Sequence, residues 1–526
     1  MSVKWPFLHA FWIGPLVVAL ACFSAAAQKT IPGIVFKELS GEETGLKAIM
    51  EKWKADERER QGGQFGSHGW WPWGLVAFDY DNDGAMDLLV LQHGESKSII
   101  IRNELKDKGT LTFINANPQL GLPSNGLAGC FKPLIWDFDG DGFLDLAFCD
   151  AEKNTCFFNI EGKKFEPMDF AFGQLEGIRE VADVNGDGYL DVYNDWAQFL
   201  YDPQTRKFIR KEQAAPLFAN PPEAVGEFLA KAWDKKENRY LQVRYFEGID
   251  LNGDGIPDLV CAGFASYGGD MFGKFLIGAK DGTFTDAGDA LGLPGWGTPV
   301  HVADLNGDGI DDVLIAGMGL YLSDGAGKFA LKPGPLTDFL KNVGPYVHKV
   351  YPVDFANQGK MDLAICNPRK RLAAIFENRG RGDFKLLHRI HSWEDPIAIC
   401  DINNDGLMDV CIGGPDDTIT IFLNQTPNAG RYCNLYPRMP RPNPYAVGAR
   451  IEVFRAGDLD KPGKKPFLQE AAHPDATPIH IGLAGAVTFD LRVTFPGQEL
   501  KIVELKGVQA RNRLQITPDG KLVEIK

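Results

Sequence analysis

The sequence predicts an all-β protein: a seven-bladed β-propeller with calcium-binding, aspartate-rich hairpin loops, followed by a small C-terminal β domain. Three observations predict it. A loop of the form Asp-x-Asp/Asn-x-Asp-Gly-x-x-Asp, intact or worn, begins at Asp79, Asp137, Asp183, Asp250, Asp304, Asp354 and Asp401. By subtraction the starts lie between 46 residues (Asp137 to Asp183) and 67 residues (Asp183 to Asp250) apart, a period that marks a repeat architecture. Each loop is followed at once by a short apolar run of buried-strand type.

Within a loop the first, third, fifth and ninth residues supply oxygen and the sixth, glycine, permits the sharp turn, a pattern suited to a hard cation such as Ca²⁺. The ligand sets are Asp79, Asp81, Asp83 and Asp87, then Asp137, Asp139, Asp141 and Asp145. The third and fourth are Asp183, Asn185, Asp187 and Asp191, and Asp250, Asn252, Asp254 and Asp258. The fifth is Asp304, Asn306, Asp308 and Asp312, and the seventh Asp401, Asn403, Asp405 and Asp409. In the sixth, Asp354 and Asp362 remain but Ala356 and Gln358 replace two ligands, so that loop is expected to keep its turn and hold no metal. About six Ca²⁺ sites result. An EF-hand is excluded, because it needs a Glu at position twelve and flanking helices. Here the twelfth residues of the first three loops are Val90, Phe148 and Asn194.

The runs Leu88–Leu91, Leu146–Phe148, Leu259–Cys261, Val313–Ala316 and Leu363–Cys366 follow the loops as second strands. Third strands are read at Ser98–Asn103, Cys156–Asn159, Phe199–Asp202, Lys274–Gly278, Leu320–Ser323 and Ala374–Asn378. Each leads through a turn to an aromatic residue of a fourth strand: Phe113, Phe165, Phe208, Phe284, Phe329 and Phe384. Four strands in each of seven repeats make a seven-bladed propeller, which leaves few exposed edges. The seventh repeat stops after Ile419–Asn424, and Gly33–Leu39, with the same aromatic-centred form, is expected to supply its missing strand and close the ring. Helices are expected at Glu42–Arg58 and, from the apolar spacing of Val225, Phe228, Leu229 and Trp233, at Pro222–Asp234.

With these loops in place, residues 28–427 resemble the FG-GAP or VCBS-type repeats of integrin-α-like propellers. That resemblance implies that the calcium loops share one face and that ligands engage the opposite one. The segments Asn443–Phe454, Pro478–Leu483 and Leu491–Gly497 are similar to the ASPIC/UnbV module found after such propellers. This implies a β domain over 428–526, without assigned chemistry.

Lys4, the apolar stretch Phe11–Phe23 and Ala25-Ala26-Ala27 have the form of a secretory signal over residues 1–27. Cys22 offers a lipoprotein alternative. No later segment reaches the ~20 apolar residues of a membrane span. The protein is therefore expected to be exported: secreted, periplasmic or on the cell surface. The formal net charge is −15. Much of this belongs to the loops, since the first two hold four carboxylates each and the other intact ones three. No basic, aromatic-interleaved stretch suggests a nucleic-acid partner. No Cys-x-x-Cys metal pair occurs, and Cys149 and Cys156 read equally as a disulfide or as buried thiols.

Candidate ligand-contacting residues lie at the strand ends away from the loops: His93, Trp196, Tyr267, Asn367 and Arg369 after second strands, and Trp71, Trp73 and Trp393 before first strands. Aromatic faces beside polar groups suit a sugar or peptide, although the same rings also suit packing of the central channel. No nucleophile–base pair or spaced carboxylate pair identifies catalysis. His68, His301 and His348 precede loops of different repeats and read as structural. The expected function is a binding or adhesion scaffold for an extracellular polysaccharide or protein. The alternative is a propeller lyase or hydrolase acting on an extracellular polymer. Arg381-Gly382-Asp383 and the sequon at Asn424 are read as turn chemistry and chance, respectively.

Overall fold

The computed structural model describes residues 33–525, apart from segments 64–71, 93–96, 123–132, 149–154, 169–177, 184–186, 195–196, 213–240, 266–270, 281–283, 296–297, 345–348, 368–369, 392–396, 415–417, 473–474 and 498–499 and positions 250, 253, 255, 257, 309 and 465. The proposed signal and the helix expected at Pro222–Asp234 lie outside the described residues.

The described chain is all-β, organised as four-stranded antiparallel meanders. After β1 (Phe36–Leu39), the first sheet holds β2 (Pro72–Phe78), β3 (Asp87–Gln92), β4 (Ile99–Asn103) and β5 (Phe113–Asn115). The second holds β6 (Leu134–Trp136), β7 (Asp145–Phe148), β8 (Thr155–Ile160) and β9 (Lys164–Met168). The third is β10 (Ile178–Ala182), β11 (Asp191–Asn194), β12 (Ala197–Asp202) and β13 (Lys207–Glu212). The fourth is β14 (Leu241–Ile249), β15 (Asp258–Ala265), β16 (Met271–Gly278) and β17 (Phe284–Asp286). The fifth is β18 (Thr298–Ala303), β19 (Asp312–Ala316), β20 (Gly319–Ser323) and β21 (Phe329–Lys332). The sixth is β22 (Lys349–Val353), β23 (Asp362–Asn367), β24 (Leu372–Asn378) and β25 (Phe384–His391). The seventh contains β26 (Ile397–Cys400), β27 (Asp409–Gly413) and β28 (Ile419–Asn424), and its fourth strand is β1, with Phe36 opposite Asn424 and Leu39 opposite Ile421.

Burial follows position within each meander. The second strands β3, β7, β23 and β27 are buried along their whole length. Both of their faces meet neighbouring sheets, which is why they read as continuous apolar runs. In the outer strand β9 only Phe165 and Met168 are buried, while Lys164, Glu166 and Pro167 are exposed.

Side-chain amides join sheet to sheet. Asn103 Nδ2 donates to Ile402 O (2.9 Å), tying the first sheet to the seventh, and Asn159 Nδ2 donates to Tyr80 O (2.8 Å), tying the second to the first. Asn378 Nδ2 reaches Leu305 O (3.1 Å), and Asn424 Nδ2 reaches Phe355 O (2.7 Å), linking sheets six to five and seven to six. Trp136 packs on Phe208 between sheets two and three, and Leu251 and Val260 share a core with Val313 and Ile315 between four and five. Asn424 is fully buried in this role, so the formal sequon there is not a surface acceptor.

The expected first helix forms as two pieces, α1 (Gly41–Thr44) and α2 (Leu46–Arg60), divided by Gly45 at φ 81. Ser40 and Glu43 form a capping box. Leu46, Met50 and Trp53 then face the core between sheets one and seven at i, i+4 and i+7. Two short helices, α3 (Leu105–Lys108) and α4 (Gly288–Leu291), lead out of turns. One nine-residue helix was not anticipated from the sequence: α5 (Pro335–Val343), starting on Pro335, whose Leu336, Phe339, Leu340 and Val343 pack between sheets five and six.

Two further sheets follow. One orders β32 (Ile479–Ala484), β29 (Arg431–Pro437), β35 (Arg513–Ile516) and β36 (Leu522–Glu524). The other orders β31 (Leu468–Ala471), β30 (Arg450–Arg455), β33 (Thr488–Phe495) and β34 (Lys501–Gln509). They enclose their own core, including Leu435, Ile451, Leu491, Phe495 and Ile516. Among the described residues, no helix is long and apolar enough to cross a membrane.

Candidate metal centres and the face they share

Each aspartate-rich loop joins the first strand of a sheet to the second. In loop 1, one ligand oxygen from each of Asp79, Asp81 and Asp87 lies within 4.8 Å of the others, and in loop 2 the same holds for Asp137, Asp139 and Asp145. Backbone amides wind both loops around these carboxylates: Gly84 N donates to Asp79 Oδ2 (2.9 Å), Asp83 N to Asp81 Oδ1 (3.2 Å) and Ala85 N to Asp83 Oδ1 (2.7 Å). Gly84, Gly142, Gly188 and Gly406, the sixth residues, all sit at positive φ between 84 and 93, where a side chain would be strained.

The donor set fits a hard cation. Asp79 Oδ1 is buried without a hydrogen-bond partner. Burial, reinforced by Asp83 and Asp81, pushes Asp79 up to about 7, and burial with Asp141 and Asp139 nearby does the same for Asp137. Burial also pushes Asp401 up to about 6, and drives Asp87, Asp145 and Asp409 well above the usual carboxylate range. Crowded, desolvated carboxylates with an orphan oxygen are an environment that a divalent ion relieves.

The ninth aspartate does something further. Asp87 accepts from Tyr80 N (3.3 Å) and Asn103 N (2.8 Å), Asp145 from Phe138 N and Asn159 N (2.7 Å each) and Asp409 from Ile402 N (3.0 Å) and Asn424 N (2.7 Å). Asp258 and Asp312 repeat the arrangement on Leu251 and Gly278 and on Leu305 and Ser323. This residue ties its loop to the third strand. The asparagine that ends that strand, Asn103, Asn159, Asn378 or Asn424, then ties the sheet to its neighbour. The asparagines were visible in the sequence as the shared last residue of four third strands, 22 to 24 residues after a loop start by subtraction (Asp137 to Asn159, Asp79 to Asn103).

In loops 4, 5 and 7 the third residue is asparagine, and its amide donates inside the loop: Asn252, Asn306 and Asn403 Nδ2 to Asp254, Asp308 and Asp405 Oδ2, at 3.0, 2.9 and 2.9 Å. Asn185 and Asp250 lie outside the described residues, while Gly188 N and Tyr189 N of loop 3 donate to Asp183 and Asp187. Loop 6 keeps its turn, with Asp354 accepting from Gln358 N (2.8 Å) and Gly359 N (2.5 Å) and Asp362 from Phe355 N (3.1 Å) and Asn378 N (2.7 Å).

The loops are also joined to one another. Asn357, Asn404 and Asn82, each the fourth residue of its loop and at φ 54 to 58, donate to Gly406 O (3.0 Å), Gly84 O (2.9 Å) and Gly142 O (2.8 Å) respectively. Loops 6, 7, 1 and 2 thus form a continuous relay. The C-terminal sheets pack directly on it. Tyr445 OH donates to Gly142 O (2.7 Å), Arg513 to Gly84 O (3.2 Å) and Arg441 to Asp141 O. Loop 6 is the most intimate contact: Ala484 N donates to Asn357 O (2.7 Å), Gly430 N to Ala356 O (2.8 Å), and His480 Nε2 meets Asn357 Oδ1 at 2.7 Å. A side chain on Gly482 would begin 1.7 Å from Asp354 Oδ2. Between loops 1 and 7 and the C-terminal sheets lies a cleft of about 80 Å³ lined by Asp79, Asp401, Tyr436, Arg438, Tyr445 and Arg513.

The candidate ligand residues fare differently. Trp71, His93, Trp196, Tyr267, Arg369 and Trp393, and the side chain of Trp73, lie outside the described residues. Asn367 is fully buried, its amide donating to Val343 O (3.2 Å), and serves packing rather than a ligand. His68 and His348 are outside the described set, while burial pushes His301 down to about 4, as a neutral inward-facing imidazole. Cys156 is a free buried thiol, as are Cys400, Cys411 and Cys433, so of the two readings the thiol one holds for Cys156, while Cys149 lies outside the described residues. Arg381-Gly382-Asp383 is a tight turn, with Gly382 at φ 69 and Asp383 O accepting from Arg379 N (2.8 Å).

Against known families, residues 137–193 and 250–315 match the FG-GAP-like repeat. The chain carries FG-GAP-like repeats in a β-propeller-like fold. No curated protein matches it in sequence. Solved structures with some likeness include a lectin of Agrocybe aegerita specific for non-reducing terminal N-acetylglucosamine (21% identity, 61% of this chain and 81% of that one, TM-score 0.35). Others are YCF48 from Cyanidioschyzon merolae (9%, 67% and 95%, TM-score 0.33) and the rhamnogalacturonan lyase PL11 of Bacillus licheniformis (15%, 86% and 73%, TM-score 0.25).

Proposed function

We propose that this protein is an exported, calcium-stapled binding scaffold: a closed seven-bladed propeller over residues 28–427, with an ASPIC/UnbV-like β module over 428–526 seated on its loop end. The observation that carries the reading is the pair of converging carboxylate sets in loops 1 and 2, with the orphaned Asp79 Oδ1. Asp79, Asp81, Asp83 and Asp87, and Asp137, Asp139, Asp141 and Asp145, would hold the first two ions. Loops 3, 4, 5 and 7 would hold others through the ligand positions named above. A bound Ca²⁺ supplies charge neutralisation and a crosslink within the hairpin, and hence folding free energy.

The C-terminal module occupies the loop end across loops 6, 7, 1 and 2, which favours the opposite end as the binding surface. By sequence position, Trp71, Trp73 and Trp393 stand near the starts of first strands, and His93, Trp196, Tyr267 and Arg369 follow the ends of second strands. That inventory suits an extracellular polysaccharide or a protein. The test incubates calcium-loaded mature protein with a panel of extracellular polysaccharides and follows both retention and soluble products by mass spectrometry. Retention without products is expected. New oligosaccharides would replace the scaffold reading with the lyase or hydrolase one, and no retention on any glycan would direct the search to protein ligands.

A further inference from the structure

Loops 1 and 2 differ from the other intact loops at one ligand position: the third residue is aspartate, Asp81 or Asp139, where the rest have asparagine. Each of these two aspartates carries an arginine on its outer oxygen. Arg102, the fourth residue of β4, donates Nε to Asp81 Oδ2 (2.8 Å) and a terminal nitrogen to Asp83 Oδ2 (3.0 Å), and its other terminal nitrogen meets Asp107 (2.5 Å). Arg206, from the turn after β12 in the neighbouring sheet, donates to Asp139 Oδ2 (2.6 Å) while lying 4.0 Å from the Phe158 ring centre. Arg102 is only 17% exposed.

The arginine reproduces what asparagine does elsewhere. In loops 4, 5 and 7 the amide of the third residue donates to the outer oxygen of the fifth, and in loop 1 Arg102 makes that bond to Asp83. Charge is matched as well. Four ligand carboxylates and one guanidinium leave loop 1 with the same formal charge as loop 7, where Asp401, Asp405 and Asp409 are the acids at ligand positions. We propose that Arg102 and Arg206 are resident counter-cations, equivalent to the asparagine of the other loops, that set the divalent-metal affinity of loops 1 and 2. This rests on the metal reading above.

A unit positive charge about 6 Å from a divalent ion, screened as in water, is worth about tenfold in affinity. Removing Arg102 should therefore tighten calcium binding at loop 1 by about tenfold, while lowering the melting temperature in EDTA, where four carboxylates would face one another uncompensated. The experiment follows hydrogen exchange of the full chain against free calcium, reading peptides over residues 79–87 and, as an internal reference, 304–312. In Arg102→Gln the 79–87 midpoint should fall about tenfold with the reference unmoved, and Arg102→Gln/Asp81→Asn should restore the wild-type midpoint. Arg206→Gln, read over 137–145, repeats the test at a more exposed arginine should the first variant fold poorly. With a wild type that does titrate, an unmoved midpoint in Arg102→Gln, or a shift to higher calcium, would overturn the counter-cation role while leaving the metal sites standing. Absence of any calcium-dependent protection in the wild type would instead overturn the metal reading, and this proposal with it.

Discussion

Removing calcium should destabilise the fold in a manner set by pH. In the metal-free state Asp79 and Asp137 are pushed up to about 7, chiefly by burial, against roughly 3.9 in an unfolded chain. A shift of about three units corresponds to at most about 4 kcal/mol per carboxylate. The sign follows from proton counts. Between about pH 4 and 7 the folded state binds more protons than the unfolded one, so metal-free stability is fully present at the acid end and is lost as pH rises through about 7. Calcium acts in the opposite sense, because it binds the ionised carboxylates. At a hundredfold excess over its dissociation constant each ion adds about 2.7 kcal/mol. Ions held in loops 1 and 2 alone would therefore contribute about 5 kcal/mol, a melting shift on the order of 10 °C. The assay is differential scanning calorimetry in calcium and in EDTA at pH 5, 6.5 and 8. The gap between the two curves should be widest at pH 8 and narrow toward pH 5. Coincident melts at pH 8, or an EDTA melt that rises with pH, would refute the reasoning.

Other substitutions separate the roles within a loop. Asn159→Ala removes the amide bonds to Tyr80 O and Leu144 O and the acceptor for Gly162 N, and should cost about 3 kcal/mol in urea unfolding, in calcium and EDTA alike. Asp362→Ala leaves Phe355 N and Asn378 N without their acceptor in the loop whose third and fifth ligand positions are Ala356 and Gln358. It should destabilise by roughly 2–3 kcal/mol, with no change in calcium stoichiometry by calorimetric titration. Gly482→Val places a side chain against Asp354 and should detach the C-terminal module from loop 6. Limited proteolysis should then release a fragment beginning near residue 428, while the ring keeps its calcium-dependent melt.

The loops and second strands could be read from the sequence because their patterns are local. A nine-residue loop writes its ligands at fixed spacing, and a strand buried on both faces, such as Asp87–Gln92, writes an unbroken apolar run. The closing strand was accessible for the same reason, through Phe36 and the missing fourth strand of the last repeat. What escaped was relational. Nothing local to Asn103 or Asn159 says that its amide reaches a neighbouring sheet, and nothing in Arg206 says that it lies on Asp139, 67 residues away in sequence. α5 was hidden because its apolar residues, Leu336 to Val343, continue a run of strand-like segments, and only Gly334-Pro335 marks its start. The docking of the C-terminal sheets was likewise beyond a reading of either part alone, since it uses backbone carbonyls such as Gly84 O and Gly142 O, which carry no side-chain signature.

Loop 6 shows that a loop holds two separable devices. It has exchanged its third and fifth ligands for Ala356 and Gln358, yet Asp354 still winds the turn and Asp362 still binds Phe355 N and Asn378 N. The hydrogen-bonded frame therefore does not need the metal ligands, and it is the frame that joins sheet to sheet through Asn378. Loop 6 has two carboxylates fewer than loops 1 and 2 and one fewer than the other intact loops, which lowers the charge opposing close approach, and the C-terminal module makes its tightest contacts here, where Gly430 lies against the Asn357 carbonyl and Gly482 against the Asp354 carboxylate. The hydrogen-bonded frame and the full set of ligand positions are thus separable features of one hairpin. The relay from Asn357 to Gly406, Asn404 to Gly84 and Asn82 to Gly142 then places the docked module in hydrogen-bonded continuity with three metal-type loops.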